Sequence, residues 1–278
     1  MISIGEKQRK KTDTMNKTAL ITGCSRGLGF EFARLFASDG YDLVCVARDK
    51  AELDERARSL IEWYGINVTV IPADLSTATA LDTIAVTLKE KNIYPNVLVN
   101  NAGFGLTGYF HTLDLNRQIE MINVNITALV GLTRLLLPSM IKNKSGQILN
   151  IASTAAFSPG PLMSVYYASK AFVLHFSQAL HDEVHGHNIM VSTLCPGPTK
   201  THFDEVSGMG KTMLAKRKLI PPMSAETVAV YGYKKFKAGK QIIVPGFVNK
   251  MIPWVSRMFP MSLTSKVILR LNNTISAV

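Results

Sequence analysis

Tyr166 and Lys170 form a YxxxK pair inside the apolar-periodic stretch Val165–His185. On a helix, residues four apart share one face, so the phenol and the ammonium lie side by side. A free phenol titrates near ~10 and is a poor acid–base group at neutral pH. A neighbouring ammonium stabilises the phenolate and moves it towards the working range. By itself the pair also fits an ordinary helix face. Tyr167, the adjacent phenol, has Ala171 four residues on in place of a lysine and reads as packing. Ser153 stands thirteen residues before Tyr166, just past the apolar run Gln147–Ile151. Asn125 lies in Asn123-Val124-Asn125 on a preceding long helical stretch.

A second constellation lies near the N-terminus. The run Thr18–Thr22 leads directly into Thr22-Gly23-Cys24-Ser25-Arg26-Gly27-Leu28-Gly29 and then into a helical pattern. Glycines here let the backbone turn tightly and approach a pyrophosphate, whose charge rests at the helix N-terminus. A glycine-rich turn alone fits many tight turns. A strand before it and a helix after it are what a phosphate cradle requires.

The elements that must position these groups alternate along the chain. Thr18–Thr22, Leu43–Val46, Val68–Ile71, Val97–Val99, Gln147–Ile151, Met190–Leu194 and Gln241–Val244 are short β-branched apolar runs that read as strands. Leu28–Ser38, Lys50–Tyr64, Ala78–Lys91, Leu115–Lys142, Val165–His185 and Ala225–Ala238 read as helices. This alternation calls for a doubly wound, Rossmann-like parallel sheet covered by helices on both faces, an α/β fold. No low-complexity linker divides it and no repeat recurs, so a single domain is expected. Two stretches escape the alternation. Thr199–Pro222 is long and carries Gly208, Gly210, Pro221 and Pro222, as lids and binding loops do. From Pro245 onward, Phe247, Met251, Trp254, Met258, Phe259 and Leu263 mix with Lys250 and Arg257, which predicts one or two short amphipathic helices broken at Pro253 and Pro260.

Taken together, these motifs resemble the compact, one-domain branch of the short-chain dehydrogenase/reductase family. The glycine spacing is that branch's TGxxxGxG, and Asn100-Asn101-Ala102-Gly103 matches its NNAG. Roughly residues 17 to 245 are covered. The resemblance implies a catalytic set of Ser153, Tyr166, Lys170 and Asn125, with Ser153 hydrogen-bonding the substrate oxygen and Asn125 holding a water for proton relay. It also implies that Lys170 binds the nicotinamide ribose. Gly23, Ser25, Arg26, Gly27, Leu28 and Gly29 would form the pyrophosphate turn, and Asp74 would contact the adenine. Asn101, Ala102 and Gly103 would brace the sheet beside the adenosine. Pro196, Gly197 and Thr201, matching PGxxxT, would contact the nicotinamide end together with Tyr166 and Lys170.

Charge selects the nicotinamide cofactor. An NAD site presents an acid near the end of the second strand to bind the ribose hydroxyls. Val46-Ala47-Arg48 ends that strand here, with Arg26 as a second cation in the turn. Two guanidinium groups suit a 2′-phosphate, which they can bind bidentately. NADP(H) is therefore expected before NAD(H), with Asp49 the ribose ligand if the alignment shifts by one residue.

The chain of 278 residues is 47% hydrophobic and 18% charged, enough apolar surface for a large core. Cys24, Cys45 and Cys195 show no CxxC or Cys/His spacing and read as buried thiols. No metal site is expected. His111, His175, His181, His185, His187 and His202 lack any triad or HExxH context, with His202 the one placed to meet substrate. Residues 1–16 read as a flexible basic tail without a secretory signal, and Met15 is a second possible start. No run of about 18 uncharged apolar residues occurs, since Arg134 interrupts the best candidate. The net charge of +11 concentrates late in the chain, without a nucleic-acid-binding motif beside it.

The expected protein is thus a reductase domain over residues 17–246 with a helical extension of the same domain over 247–278. It would move a hydride between NADP(H) and an apolar ketone or aldehyde, walled by Phe104, Leu106, Tyr109, Phe110, Phe157, Met163 and Phe203. A cofactor-binding sensor of the same fold is the alternative without chemistry, and the intact catalytic set speaks against it. The tail has two places to bury its apolar groups: over the substrate pocket, which is preferred, or on an anionic membrane surface. A cytoplasmic protein, peripheral to a membrane in the second case, is expected, with no nucleic-acid partner. The resemblance implies a homodimer or homotetramer built on the long fifth and sixth helices.

Overall fold

A computed structural model describes residues 17–201, 203, 207, 208, 212 and 220–273. The N-terminal tail with Met15, His202 and most of the 199–222 stretch lie outside the described residues.

Six strands come first: β1 (Thr18–Thr22), β2 (Asp42–Ala47), β3 (Val68–Pro72), β4 (Val97–Asn100), β5 (Gly146–Ile151) and β6 (Ile189–Leu194). Two short ones, β7 (Thr199–Lys200) and β8 (Met223–Ser224), pair only with each other, and β9 is Ile242–Ile243. The main sheet runs β3-β2-β1-β4-β5-β6-β9, every pair parallel. It is the doubly wound, Rossmann-like sheet that the alternation of elements predicts.

Both faces of the sheet are buried, so its strands are apolar at successive positions. In β1, Ala19 and Ile21 enter one core and Leu20 the other. In β2, Leu43 and Cys45 part from Val44 and Val46 in the same way. The first core is closed by α1 (Gly27–Ser38), α2 (Lys50–Tyr64) and a later helix, Ala225–Lys237. There Phe36 meets Tyr233 and Tyr41 edge-on, with ring centres 4.8 and 5.2 Å apart. The second core is closed by α3 (Ala80–Glu90), α5 (Ala128–Lys142) and α6 (Ser164–Val184), while Met121 of α4 (Leu115–Ile122) packs in a separate cluster with Met163 and Tyr166. Ala225–Lys237 is α7; α8 (Phe247–Met258) and α9 (Met261–Asn272) follow.

Two local expectations need correction. Leu115–Lys142 is not uniformly α-helical, because Asn123–Thr127 forms a π turn between α4 and α5. Two asparagines there reach outside their own helix: Asn123 donates to Ser76 O at 3.1 Å and Asn125 to Phe104 O at 3.0 Å. A wider turn re-aims side chains that a regular helix would hold on its own period. By length and hydropathy this is one described helix apolar enough to cross a membrane. Its Leu132, Leu136 and Met140 share a core with Leu98 and Ile148 of the sheet.

The C-terminal tail breaks at Pro260 but runs through Pro253. An interior proline removes one backbone hydrogen bond. α8 packs against the 3-10 turn Thr154–Phe157.

Candidate active site

The turns after β1, β4, β5 and β6 open at the carboxyl edge of the sheet, where strand order reverses between β1 and β4. Doubly wound folds bind ligands in that crevice. A cleft of about 1050 Å³ occupies it here. The site residues predicted from sequence all line this cleft, apart from Gly29 and Asn125.

The turn after β1 is shaped for close approach. Gly23 and Gly27 hold left-handed backbone, at φ +65° and +54°, where a side chain would be strained. A Cβ on Gly29 would fall 2.1 Å from the carbonyl oxygen of Gly23. Gly29 therefore serves helix–strand packing behind the cleft wall. The first turn of α1 carries no acid and receives no side-chain cap from Arg26. Its N–H groups and dipole suit an anion. Asn101 ties β4 to this turn, donating through Nδ2 to the carbonyls of Thr22 (2.9 Å) and Gly23 (3.2 Å). The backbone N–H groups of Asn101 and Ala102 both donate to Thr22 Oγ1 at 3.0 Å. A dinucleotide pyrophosphate fits this glycine cradle.

One corner of the cleft gathers charge. Arg48 is exposed at the end of β2, and Arg26 pairs with Glu52. Asp49 caps α2, accepting from the Glu52 N–H at 3.0 Å. A capping carboxylate is already engaged. Arg56 donates to Ser25 O at 3.3 Å and steadies the glycine turn from outside. Burial pushes the Asp74 carboxyl upward, but two hydrogen bonds from Ser76 and the charges of Arg48 and Arg117 outweigh it and hold the group below its ordinary value. Glu52 and Arg56 carry no motif, and only the fold brings them to this corner.

At the other end, α6 presents Tyr166 and Lys170 on one face, both 5% exposed. Lys170 Nζ lies 5.9 Å from the Tyr166 ring centre and donates to Ile151 O at 2.9 Å. Burial pulls the Lys170 ammonium down to about 8. It pushes the Cys195 thiol up to about 12, against the pull of Lys170. Cys24, Cys45 and Cys195 are all free and buried, as the sequence suggests. Ser153 Oγ accepts from the Ala155 N–H at 3.1 Å and contacts Pro196 O at 3.4 Å. Asn125 stands one layer back. Its Oδ1 accepts from the Phe104 N–H at 3.1 Å, and Nδ2 donates to Phe104 O and Ser169 Oγ, both at 3.0 Å. Gly103 is what lets these groups close up: a Cβ there would lie 2.9 Å from Asn125 Oδ1 and 3.3 Å from Lys170 Nζ.

The apolar wall differs from the one expected. Of the seven residues named for it, only Phe104 and Phe203 line the cleft. Tyr109 and Phe110 are exposed, Phe157 packs behind the cleft, and Leu106 and Met163 form a cluster with Tyr166. The wall comes instead from the tail, through Met251, Ile252, Val255, Phe259, Val267 and Ile268. Two asparagines pin that tail. Asn249 is buried against Gly197, where a Cβ would fall 2.4 Å from its Oδ1. Asn272 donates to Pro161 O at 3.0 Å. The sequence signal for the wall was the apolar helical spacing after Pro245; which face turns inward was not encoded in it.

Residues 17–210 match the short chain dehydrogenase family profile. The chain belongs to this family. A very-long-chain 3-oxoacyl-CoA reductase of Anas platyrhynchos is 38% identical over 194 residues, 68% of this chain and 62% of the relative. The ketoacyl reductase HetN of Nostoc is 36% identical over 186 residues, 67% of this chain and 64% of the relative. The chain thus spans a little under two thirds of the length of these two relatives. A Sphingobium yanoikuyae short-chain dehydrogenase in complex with NADPH superposes with a TM-score of 0.78 at 30% identity, covering 94% of this chain and 98% of the other. A bulky-bulky ketone specific alcohol dehydrogenase from Comamonas testosteroni superposes with a TM-score of 0.75 at 30% identity, covering 91% of this chain and 95% of the other.

Proposed function

We propose that this short-chain dehydrogenase is an NADP(H)-dependent reductase of bulky apolar ketones or aldehydes. One observation carries the reading: a single cleft joins the glycine cradle to Tyr166, Lys170 and Ser153, and continues between apolar tail helices. NADP(H) is favoured over NAD(H) because Arg48 and Arg26 reach the corner beyond β2 while Asp49 is held at the α2 N-terminus. The name of the duck relative, and that of the Comamonas enzyme, agree with a large substrate.

When bound, the reduced nicotinamide supplies the hydride for the carbonyl carbon. Tyr166 donates its phenolic proton to the oxygen as negative charge develops there. Ser153 donates a hydrogen bond to the same oxygen and stabilises it. The Lys170 ammonium beside Tyr166 favours the phenolate left behind and holds the nicotinamide ribose. Asn125 fixes the Phe104 backbone and, as the family resemblance implies, holds the water through which the phenol is reprotonated. Oxidation of an alcohol reverses each step. A homodimer through α5 and α6 fits this reading, since Leu135 and Phe172 are exposed on those helices.

Carbonyl compounds graded in size, assayed with NADPH at the nicotinamide absorbance, test the proposal. Turnover that favours bulky apolar ketones is expected. NADPH binding without turnover of any carbonyl would leave the cofactor-sensing reading in its place.

A further inference from the structure

The two tail helices line the cleft with one face and leave another uncovered. On α8, Phe247, Met251, Trp254 and Met258 follow i, i+4, i+7 and i+11 spacing and form one stripe, with Met251 at the edge where it meets the cleft wall. Three of them, Phe247, Trp254 and Met258, are 82%, 67% and 77% exposed, and Met261 continues the stripe onto α9 at 74%. Contiguous apolar patches of this kind on soluble chains mark an interaction site.

What surrounds the stripe indicates its occupant. Lys250 and Arg257, seven residues apart on α8, border it on the side away from the cleft, and both are exposed. Lys266 and Arg270 are exposed on α9. No Asp or Glu follows Glu226 anywhere in the sequence. A second copy docked face to face would oppose these cations to one another with no tail acid to pair them. An anionic lipid headgroup layer satisfies both features at once. Apolar side chains enter the acyl boundary, Trp254 lies at the interface, and the cations meet lipid phosphates.

We infer that the outer face of α8 and α9 docks this protein on an anionic membrane surface. The stripe adjoins the side of α8 that carries Ile252 and Val255 on the cleft wall. The cleft mouth then opens at the bilayer, and an apolar substrate enters without crossing water. That consequence rests on the reductase reading; docking itself does not.

The test uses the full chain. It has two tryptophans, so Trp63→Phe leaves Trp254 as the sole fluorophore. Vesicles of phosphatidylcholine with phosphatidylserine should shift its emission to the blue and co-sediment with the protein, and raised salt should reverse both. Phosphatidylcholine vesicles should bind weakly. Phe247→Ser with Met258→Ser should reduce the bound fraction roughly tenfold, since each side chain contributes buried area. Arg257→Glu with Lys266→Glu, at exposed positions, should do the same by charge alone. Unchanged NADPH binding in each variant shows that the fold persists, and activity plays no part in the readout. No emission shift on anionic vesicles, or equal binding by wild type and both variants, overturns the inference. So does a dimer in lipid-free solution that Phe247→Ser with Met258→Ser dissociates, because a second copy then covers the stripe.

Discussion

The carboxamide of Asn272, the last residue of α9, reaches both the Tyr167 phenol and the Pro161 carbonyl, the latter at 3.0 Å. Burial raises the Tyr167 phenol above its ordinary value, and the contact with Asn272 offsets part of that rise. The phenol next to Tyr166 is therefore a post that holds the end of the tail. Tyr167→Phe should loosen the tail and leave proton transfer alone. The expected outcome is a KM for bulky ketones raised roughly threefold to tenfold, as for loss of one hydrogen bond worth ~0.5–1.5 kcal/mol. The kcat for a small ketone should stay near wild type. Asn272→Ala should reproduce the pattern, and steady-state kinetics with two substrates of different size checks both.

Removal of the tail should exaggerate this effect. A chain ending at Gly246 loses every wall residue of α8 and α9 while keeping the glycine cradle, Ser153, Tyr166 and Lys170. Each buried apolar side chain contributes about 1.5–3 kcal/mol. KM for bulky substrates should rise by roughly tenfold or more, with a smaller change for small ones and NADPH binding retained. Fluorescence titration with NADPH and kinetics on the graded substrates separate the two effects.

Cofactor choice is expected to depend on Arg48. A charged hydrogen bond is worth ~1.5–3 kcal/mol, so Arg48→Ala should weaken NADPH binding roughly tenfold to a hundredfold. NADH binding should barely move. Tight NADH binding by the wild type would instead point to Asp49 as a ribose ligand, at the expense of its cap on α2.

Burial at Lys170 predicts an unusual pH dependence of stability. The folded chain holds this ammonium at about 8 and the unfolded chain near 10.5. Between those values the unfolded state binds more protons, so stability rises with pH across the window. Below about 8 the full cost is present, on the order of 3 kcal/mol. Lys170→Met removes the titration but also the bond to Ile151 O, a loss that does not vary with pH. The melting temperature of wild type relative to Lys170→Met should therefore climb from pH 8 to 10 and stay level from pH 6 to 7.

Much of this site is legible in the sequence because its parts are local. TGxxxGxG works through backbone angles at Gly23 and Gly27 and through the closeness of Gly29 to Gly23, all within one turn. Tyr166 and Lys170 share a face through helix geometry alone. Strand and helix positions follow from apolar periodicity, and β1 and α2 run over the same residues that it marks. What escapes is set by long-range packing. The π turn around Asn125 depends on Ser76 and Phe104, which lie far from it in sequence. The apolar wall depends on which side of α8 meets the 3-10 turn Thr154–Phe157. Aromatic residues near the motifs, such as Tyr109 and Phe110, suggest a wall by proximity in sequence, yet they face solvent.

In the proposed reaction Tyr166 is the acid of a carbonyl reduction, and Tyr166→Phe removes that acid while keeping the ring. Turnover of a bulky ketone with NADPH should fall by roughly a hundredfold to ten-thousandfold, the usual worth of a general acid. The NADPH dissociation constant and the melting temperature should stay close to wild type. Near-full activity in Tyr166→Phe, with the loss appearing in Tyr167→Phe instead, would show that Tyr166 is not the acid.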